Sequence, residues 1–300
     1  MSSETETGAS LVAPAAHQQR SPAWFAWRRF RANKAAMVGG IVLAVIVLMA
    51  ICAPLFTRSD PSAQLYLTQS LAFPSAEFWF GVDDLGRDFF TRVVYGARVS
   101  LSIGFAAAAF SLLIGIPVGA VAGYFGGRID WFVMRIIELF SVVPPLLAAM
   151  ILGALTGGGY VTIIVIASLF GWFGVCLLVR AQVKAFREKE FVRAAQALGA
   201  SPWYILRRHL IPNSLSPIIV GFVLAMPGAM MLEASLSFLG IGVAPPTPSW
   251  GQMINVGINF MFFYWHMAVF PTAALAITVL ATTLFGDGLR DALDPTLKGR

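Results

Sequence analysis

Long runs of apolar residues alternate with short polar segments along most of this chain. A helix crosses a bilayer with about 20 mostly apolar residues, so runs of that length predict membrane spans. Six runs qualify, at residues 35–56, 99–124, 131–155, 159–181, 214–235 and 265–286. The pattern therefore predicts an all-α, polytopic membrane protein with six transmembrane helices.

The longest polar interruption in the C-terminal two thirds of the chain separates the fourth and fifth predicted spans. Good helix formers at 188–198 predict a short helix, and Gly199 follows where a left-handed C-terminal residue is expected. Ser201 and Pro202 suit the N-cap and the first position of a second short helix, which is predicted to end near Pro212. Such a basic helix-glycine-helix loop is suited to bind a partner at the membrane surface.

Composition and charge support this topology and orient it. Of the 300 residues, 58% are hydrophobic and 12% are charged, whereas soluble domains carry about 25% charged residues. Six spans put both termini on one side. With that side cytoplasmic, 17 of the 21 Lys and Arg residues face the cytoplasm, and the remaining four are Arg58, Arg87, Arg92 and Arg98. We therefore expect cytoplasmic termini and a cytoplasmic basic loop, and we attribute the net charge of +6 to membrane topology and lipid rather than to nucleic acid.

Small residues and prolines predict how the spans pack. Glycines recur at four-residue spacing on the second span, at Gly115, Gly119 and Gly123, and predict a stripe where another helix approaches closely. Pro117 and the Pro144-Pro145 pair lie at membrane depth and predict either kinks in a packing seam or a break at a substrate site. Both cysteines, Cys52 and Cys176, lie in apolar runs, which favours packing over a disulfide.

Two glutamates lie within predicted spans, Glu138 on the third and Glu233 at the end of the fifth. Because burying a carboxylate in a membrane is costly, such residues indicate a translocation path or a gate. Two alternatives remain open. Glu138 lies three residues from Arg135 and can pair with it, and Glu233 can make an ordinary contact near the outer interface.

Charged residues also cluster between the first two spans, at Asp83, Asp84, Arg87, Asp88 and Arg92. Their alternating signs predict a local ion-pair network, with contact to a soluble external partner as the alternative. Prolines and aromatic residues at 236–264 predict a cap or lid against the outer membrane interface.

The C-terminal end of the sixth predicted span contains two glycines, Gly286 and Gly288, which are expected to end that helix. The charged residues around them, Asp287, Arg290 and Asp291, are then expected to lie exposed in the cytoplasm.

The sequence contains no constellation typical of catalysis. It has no Gly-rich phosphate-binding motif of the Walker A type, so we expect no ATP site of that kind in this chain. The three histidines have no carboxylate or cysteine companions at metal-ligand spacing. A serine and a histidine on facing spans, which an intramembrane protease requires, are not found either. We therefore expect a chain that is not an enzyme by itself and holds no metal.

The basic loop resembles the signature of permease subunits of ATP-binding cassette (ABC) importers, which reads Glu-Ala-Ala, three residues, Gly, nine residues, Ile-x-Leu-Pro. The matching residues are Ala194, Ala195, Gly199 and Pro212. The departures are Arg193, His209 and Ile211, where the signature has Glu, Ile and Leu. Three further stretches, at 80–101, 236–251 and 286–295, resemble the second permease of the dipeptide/oligopeptide/nickel branch.

This resemblance implies a type I ABC importer permease fold in the cell inner (plasma) membrane. It implies a heterodimer with a homologous permease, two ATPase subunits that bind ATP and Mg²⁺, and an external or periplasmic substrate-binding protein, whose contact would involve Asp84, Arg87 and Asp88. No cofactor would bind this chain directly. The turn at Gly199 would present Leu198, Ala200 and Ser201 to a cleft of the ATPase.

On this basis the chain divides into a cytoplasmic N-terminal tail at 1–34, the first span with an external loop at 35–98, a permease core at 99–290 that includes the coupling loop at 182–213, and a cytoplasmic C-terminal tail at 291–300. Peptides are the expected ligands, with nickel chelates, glutathione and opines as alternatives. The alternative from another class is a stand-alone secondary transporter or channel, driven by an ion gradient, which leaves the basic loop without a role.

Overall fold

A computed structural model describes residues 22–57 and 59–294, and within these residues the chain is helical and forms no β-strand. The helices are α1 (Pro22–Ala32), α2 (Lys34–Ile51), α3 (Ala53–Phe56), α4 (Phe89–Phe125), α5 (Gly127–Ser141), α6 (Pro145–Thr156), α7 (Tyr160–Arg187), α8 (Glu190–Ala197), α9 (Pro202–Ile205), α10 (Ile211–Asn213), α11 (Leu215–Phe238), α12 (Trp250–Phe260) and α13 (His266–Leu293). A short 3₁₀ turn at Leu67–Gln69 and a π-helical turn at Leu206–Leu210 complete the set. Arg58 and the outer parts of both predicted tails lie outside the described residues.

Five helices, α2, α4, α7, α11 and α13, are long and apolar enough to span a membrane. The third predicted span, at 131–155, is not one straight helix, since α5 and α6 meet at a bend of 81°. Pro144 and Pro145 cause this break, because a proline ring clashes with the preceding turn and disfavours helical geometry in the residue before it. The six predicted spans are thus five continuous helices and one broken pair.

The second span begins at Phe89 and not near residue 99 as predicted. Asp88 caps the helix, and its side chain accepts a hydrogen bond of 2.8 Å from the backbone N–H of Thr91. The cap adds almost three turns to α4 and places Arg92 and Arg98 on the helix. A charge at Arg92 is compatible with this position because an acidic partner, described below, neutralises it.

The glycine stripe on α4 packs against α7, as predicted. A Cβ atom at Gly115 would lie 2.7 Å from Val175, and one at Gly119 would lie 2.5 Å from the backbone oxygen of Cys176. A Cβ atom at Gly123 would lie 2.7 Å from the backbone oxygen of Arg180. The two helices therefore run in parallel at backbone-to-backbone distance from Gly115 to Gly123, a little over two helical turns.

The prediction that Gly286 and Gly288 end the last span is wrong, because α13 continues to Leu293. Both glycines lie inside the helix and allow close packing. A Cβ atom at Gly286 would lie 2.6 Å from Leu224, and one at Gly288 would lie 2.0 Å from Ala36. The charged residues beside them, Asp287, Arg290 and Asp291, are exposed, as expected.

The two ends of the described chain meet. The Arg29 side chain donates a hydrogen bond of 3.1 Å to the backbone oxygen of Asp294, and the rings of Phe30 and Phe285 make an edge contact. Since Gly286 also packs on Leu224 in the first half of α11, this meeting point lies toward the end of the bundle where α7 ends and α11 begins. We name this end the loop end.

Candidate functional site

The basic loop at the loop end forms the predicted helix-glycine-helix turn. The first helix is α8, which begins two residues later than predicted. Gly199 follows it with φ +82°, in the left-handed region. The N–H of Gly199 bonds the carbonyl of Gln196 at 2.9 Å, and the N–H of Ala200 bonds the carbonyl of Ala195 at 3.0 Å. These bonds satisfy the last carbonyls of α8, so the turn is a glycine-dependent helix end.

The second helix of the loop begins as predicted, and its helical turns end at Asn213, one residue beyond Pro212. Ser201 caps α9 and accepts a hydrogen bond of 3.3 Å from the N–H of Tyr204, with Pro202 in the first helical position. The chain then continues through the π-helical turn and α10 to Ser214, where α11 starts. Pro212 lies in the first turn of α10, where its missing N–H costs nothing. The loop is therefore joined almost continuously to the fifth span.

One face of the loop is anchored on the spans. Ile205, Leu206 and Leu210 are fully buried together with Val179 and Val183 of α7. Any displacement of the loop must therefore either move α7 or expose this apolar cluster to water.

The tip of the loop is free of such packing. Leu198 is 89% exposed, and Trp203 and Tyr204 of α9 are also exposed. A Cβ atom at Gly199 would meet no atom within 4 Å. The tip is an apolar and aromatic surface that the described part of the chain leaves uncovered.

The residues of the predicted coupling loop differ in exposure and in contacts. Gly199 and Ser201 lie exposed at the tip with Leu198, whereas Ala200 and Ala195 pack against the anchored cluster. Ala194 and Pro212 are exposed away from the tip. Arg193, where the signature has Glu, pairs with Glu188 at 3.2 Å, and since both side chains are well exposed the pair contributes little stability.

An ion pair that was not predicted from the sequence ties α5 to the C-terminal part of α7. The Arg180 guanidinium donates two hydrogen bonds to the Asp130 carboxylate, one of them 2.7 Å from Nη2 to Oδ2, and Lys184 lies 3.9 Å from the same carboxylate. The partners are fifty residues apart in sequence, so no local spacing indicated the pair. It fixes the bent third span to the helix that leads into the loop.

A cavity of about 720 Å³ opens at the middle of the long helices. It lies between α4, α7, α11 and the first turn of α6, so the Pro144-Pro145 break borders it. The lining residues are Ala107, Ala108, Ser111, Pro145, Leu146, Ala167, Phe170, Gly171, Gly174, Val175, Leu178, Gly221, Leu224, Ala225, Gly228, Ala229, Met231, Leu232 and Ser235. No charged side chain belongs to this lining in the described structure. Its size is that of a site for a small ligand.

Neither glutamate singled out from the sequence lines this cavity. Glu138 is exposed and pairs with Arg135 at 2.8 Å, which is the alternative that the three-residue spacing indicated. Glu233 is 0% exposed and points into the protein rather than into the cavity. Their predicted roles in a path or gate have no support from this geometry.

Glu233 instead joins three segments through hydroxyl groups. Its carboxylate accepts hydrogen bonds from Ser100 of α4 at 3.0 Å and from Ser237 at 2.8 Å, and Ser249 before α12 also hydrogen-bonds it. The Ser237 hydroxyl in turn accepts a bond of 3.2 Å from the N–H of Val243. Glu233 thus fastens the 239–249 segment to the ends of α4 and α11.

Replacing this acceptor is expected to loosen that attachment. Glu233→Ala leaves several buried hydroxyls without a partner, at a cost of about 1–3 kcal/mol for each unsatisfied group. We expect a lower midpoint of thermal unfolding for the purified protein. Glu233→Gln retains one carboxamide oxygen as acceptor and is expected to lose less. Equal midpoints for Glu233→Ala and wild type would contradict this role.

At the end of the bundle opposite the loop end, the charged cluster forms the predicted ion-pair network. Asp83 Oδ2 accepts a hydrogen bond of 2.6 Å from Arg87 Nε and lies 3.4 Å from Arg92 Nε. Asp83 and Arg92 are each 2% exposed. Asp88 belongs to the α4 cap rather than to the network. Of the three residues proposed to contact a binding protein, Arg87 is buried, while Asp84 and Asp88 are half-buried.

The 236–264 segment folds over the same end, as predicted. Its helix α12 packs against α13 and α11, and the Trp250 ring, 1% exposed, donates a hydrogen bond of 3.0 Å from Nε1 to the backbone oxygen of Val93. A Cβ atom at Gly251 would lie 2.5 Å from Ala234. The segment is therefore a packed cap and not a free loop.

Comparisons with known proteins match this architecture. The family described as "Binding-protein-dependent transport system inner membrane component" matches residues 115–299, and the "N-terminal TM domain of oligopeptide transport permease C" matches residues 21–74. The chain is 44% identical over 270 residues to the oligopeptide transport system permease protein OppC of Bacillus subtilis, covering 90% of this chain and 88% of that protein.

Two further similarities point the same way. The dipeptide transport system permease protein DppC of Bacillus subtilis is 44% identical over 91% of this chain and 85% of its own length, and the glutathione transport system permease protein GsiD of Escherichia coli is 39% identical over 96% and 95%. A structure of inward-facing conformations of the MetNI methionine ABC transporter shares the fold, with a TM-score of 0.53 and 20% identity over 68% of this chain and 96% of that one.

The helical architecture, the helix-glycine-helix loop and these matches over most of the chain agree. The protein belongs to the family of binding-protein-dependent transport system inner membrane components, the permease subunits of ABC importers, and within it to the OppC- and DppC-like permeases.

Proposed function

We propose that this chain is one of two permeases of an ABC importer that moves short peptides across the inner membrane. The single observation that carries the proposal is the loop tip. Its exposed apolar side chains are presented by a glycine turn whose other face is anchored on α7. Exposed apolar surface of this kind marks a protein contact. A stand-alone transporter has no use for it.

The coupling partner is an ATPase that binds ATP and Mg²⁺, while this chain hydrolyses nothing itself. Leu198, Gly199 and Ser201 dock in the ATPase, and movement of the docked loop is passed to α7 through the buried cluster around Ile205 and Val183. Nucleotide binding shifts the equilibrium between the inward- and outward-facing states only if the nucleotide-bound ATPases bind one of these states more tightly than the other. The loop end lies in the cytoplasm, as the Lys and Arg distribution favours.

The second permease completes the path, and an external binding protein delivers the ligand to the opposite end. The half-buried Asp84 and Asp88 remain candidates for that contact. Peptides are favoured as ligands because relatives at 44% identity are named for oligopeptide and dipeptide transport. Glutathione, itself a tripeptide, is the second candidate, since a relative at 39% identity is named for it.

Purification of the native complex tests the partners. We expect an affinity-tagged chain to co-isolate a second permease and ATPase subunits, with ATP hydrolysis stimulated by the binding protein. Isolation of the tagged chain alone from intact membranes would contradict the proposal. Measuring the binding of a panel of peptides, glutathione, nickel chelates and opines to the binding protein then identifies the ligand.

A further inference from the structure

Two glycines in the spanning helices stand apart from the others. Most of these glycines allow close packing, as at Gly104, where a Cβ atom would lie 2.6 Å from Met230. At Gly174 of α7 and Gly228 of α11, a Cβ atom would meet nothing within 4 Å in the described structure. Glycine inside a helix is destabilising relative to alanine, a cost that close packing usually offsets. Here no contact within the described chain offsets it.

Both glycines line the cavity between α4, α7 and α11, and both are exposed to it. The space that their missing side chains leave is therefore part of the cavity. Each glycine forms a shallow pit in the cavity wall.

Neither glycine belongs to a run of small residues at four-residue spacing, in contrast to the neighbouring Gly221, Ala225 and Ala229 of α11. Close helix packing in membranes uses small residues repeated every four positions, as on α4. One turn before and after Gly174 the chain has Phe170 and Leu178, and around Gly228 it has Leu224 and Leu232. All four bulky residues also line the cavity. A pit with a bulky apolar rim fits a single side chain better than a helix backbone.

The lining offers little to a charged ligand group. Its hydroxyls come from two serines, and both hydroxyls donate hydrogen bonds to carbonyls of the chain itself, Ser111 to Ser168 at 3.4 Å and Ser235 to Met231 at 2.8 Å. An unpaired charge is costly to place against such a surface. The wall therefore favours uncharged, apolar groups and limits them by size.

We propose that Gly174 and Gly228 set the width of the ligand path and receive the apolar side chains of a peptide as it passes. This inference rests on the proposed peptide-import function. It assigns to these two positions the size selectivity that this chain contributes to the path.

The test is a graded series at each position, Gly174→Ala, Leu and Trp and Gly228→Ala, Leu and Trp, in the purified complex with its co-isolated partners. The complex is reconstituted in proteoliposomes with the binding protein. Uptake of the labelled peptides Ala-Ala-Ala and Ala-Phe-Ala is measured, and the ratio of their rates is divided by the wild-type ratio. This division cancels the preference of the binding protein.

We expect the Trp variants to lower the Ala-Phe-Ala to Ala-Ala-Ala ratio by about tenfold, the scale at which apolar pockets discriminate by size. The Leu variants lower it less, and they carry the test if a Trp variant fails to assemble. The Ala variants are the matched controls and leave the ratio unchanged, because they raise helix propensity without filling the pit.

Two results would overturn the inference while the proposed function stands. One is wild-type uptake of both peptides with an unchanged ratio in the Leu and Trp variants. The other is loss of the second permease from the purified Leu variants, which would make the pits part of a subunit interface. Wild-type complex that imports neither peptide would instead refute the proposed peptide path, and this inference with it.

Discussion

The variant Gly199→Asp is expected to lose ATP-dependent uptake while it still inserts in the membrane at the wild-type level. Two effects act together. A non-glycine residue at φ +82° is strained by about 1–2 kcal/mol. The new carboxylate also projects from the exposed apolar tip, where this chain leaves open space and an ATPase would dock. Since 1.4 kcal/mol corresponds to about tenfold in an equilibrium constant, we expect at least that loss in uptake rate.

The matched control is Ala197→Asp, which adds the same carboxylate to an exposed position of α8 with ordinary helical geometry. We expect it to retain most of the uptake. Membrane levels of both variants are compared by immunoblotting, and assembly is compared by co-isolation of the ATPase. Normal uptake by Gly199→Asp at a normal membrane level would rule out the coupling role of the turn.

The largest loss of stability is expected for Asp83→Ala. The Asp83 carboxylate neutralises Arg87 and Arg92 and also accepts backbone N–H bonds of 2.9 Å from Leu85 and Arg87. Its removal leaves two buried guanidinium groups with only the half-buried Asp84, 3.8 Å from Arg87, as a nearby counter-charge. Breaking a buried ion pair in this way costs about 3–5 kcal/mol. We expect a clearly lower thermal midpoint and faster proteolysis of the 66–88 segment in the purified protein.

The neighbouring carboxylate provides the control. Burial, and then repulsion by Asp83, raise the pKa of Asp84 above its usual value, so at neutral pH the charged form is less favourable in the folded protein than in the unfolded chain. Asp84→Asn removes that charge and is expected to leave the midpoint unchanged or slightly higher. The raised pKa also means that Asp84 becomes protonated, and its destabilising charge is lost, as the pH falls toward the ordinary pKa of an aspartate. If Asp84→Asn lowered the thermal midpoint as much as Asp83→Ala does, the assignment of Asp83 as the main counter-charge of this cluster would be contradicted.

The loop turn was predictable because its determinants are local. A glycine after a run of helix formers and a Ser-Pro pair at the next helix start fix the backbone within a few residues, and Gly199, Ser201 and Pro202 occupy the expected positions. The spans were predictable because their length and apolarity are properties of single segments. The glycine stripe of α4 was visible for the same reason.

Features that depend on a distant partner were not predictable. The early start of α4 buries Arg92, which was expected to pair with the nearby acidic residues, but its guanidinium also donates a hydrogen bond of 2.9 Å to the backbone oxygen of Pro61, 31 positions away. Gly286 and Gly288 were expected to end a helix, yet they allow contact with Leu224 and Ala36, more than 60 and 250 positions away along the chain. The cavity is formed by residues from four helices, and their small side chains are unremarkable in any one of them.

ATP-driven uptake in proteoliposomes tests the central claim most directly. The purified complex is reconstituted with the loop end accessible to added ATP and Mg²⁺, the binding protein is enclosed with the labelled ligand, and transport is compared with ATP, with a non-hydrolysable analogue, and with an ion gradient alone. We predict transport only with ATP and the binding protein, and its loss in Gly199→Asp. Transport by the chain alone under an ion gradient, without ATP or partner subunits, would contradict the assignment as an ABC importer permease.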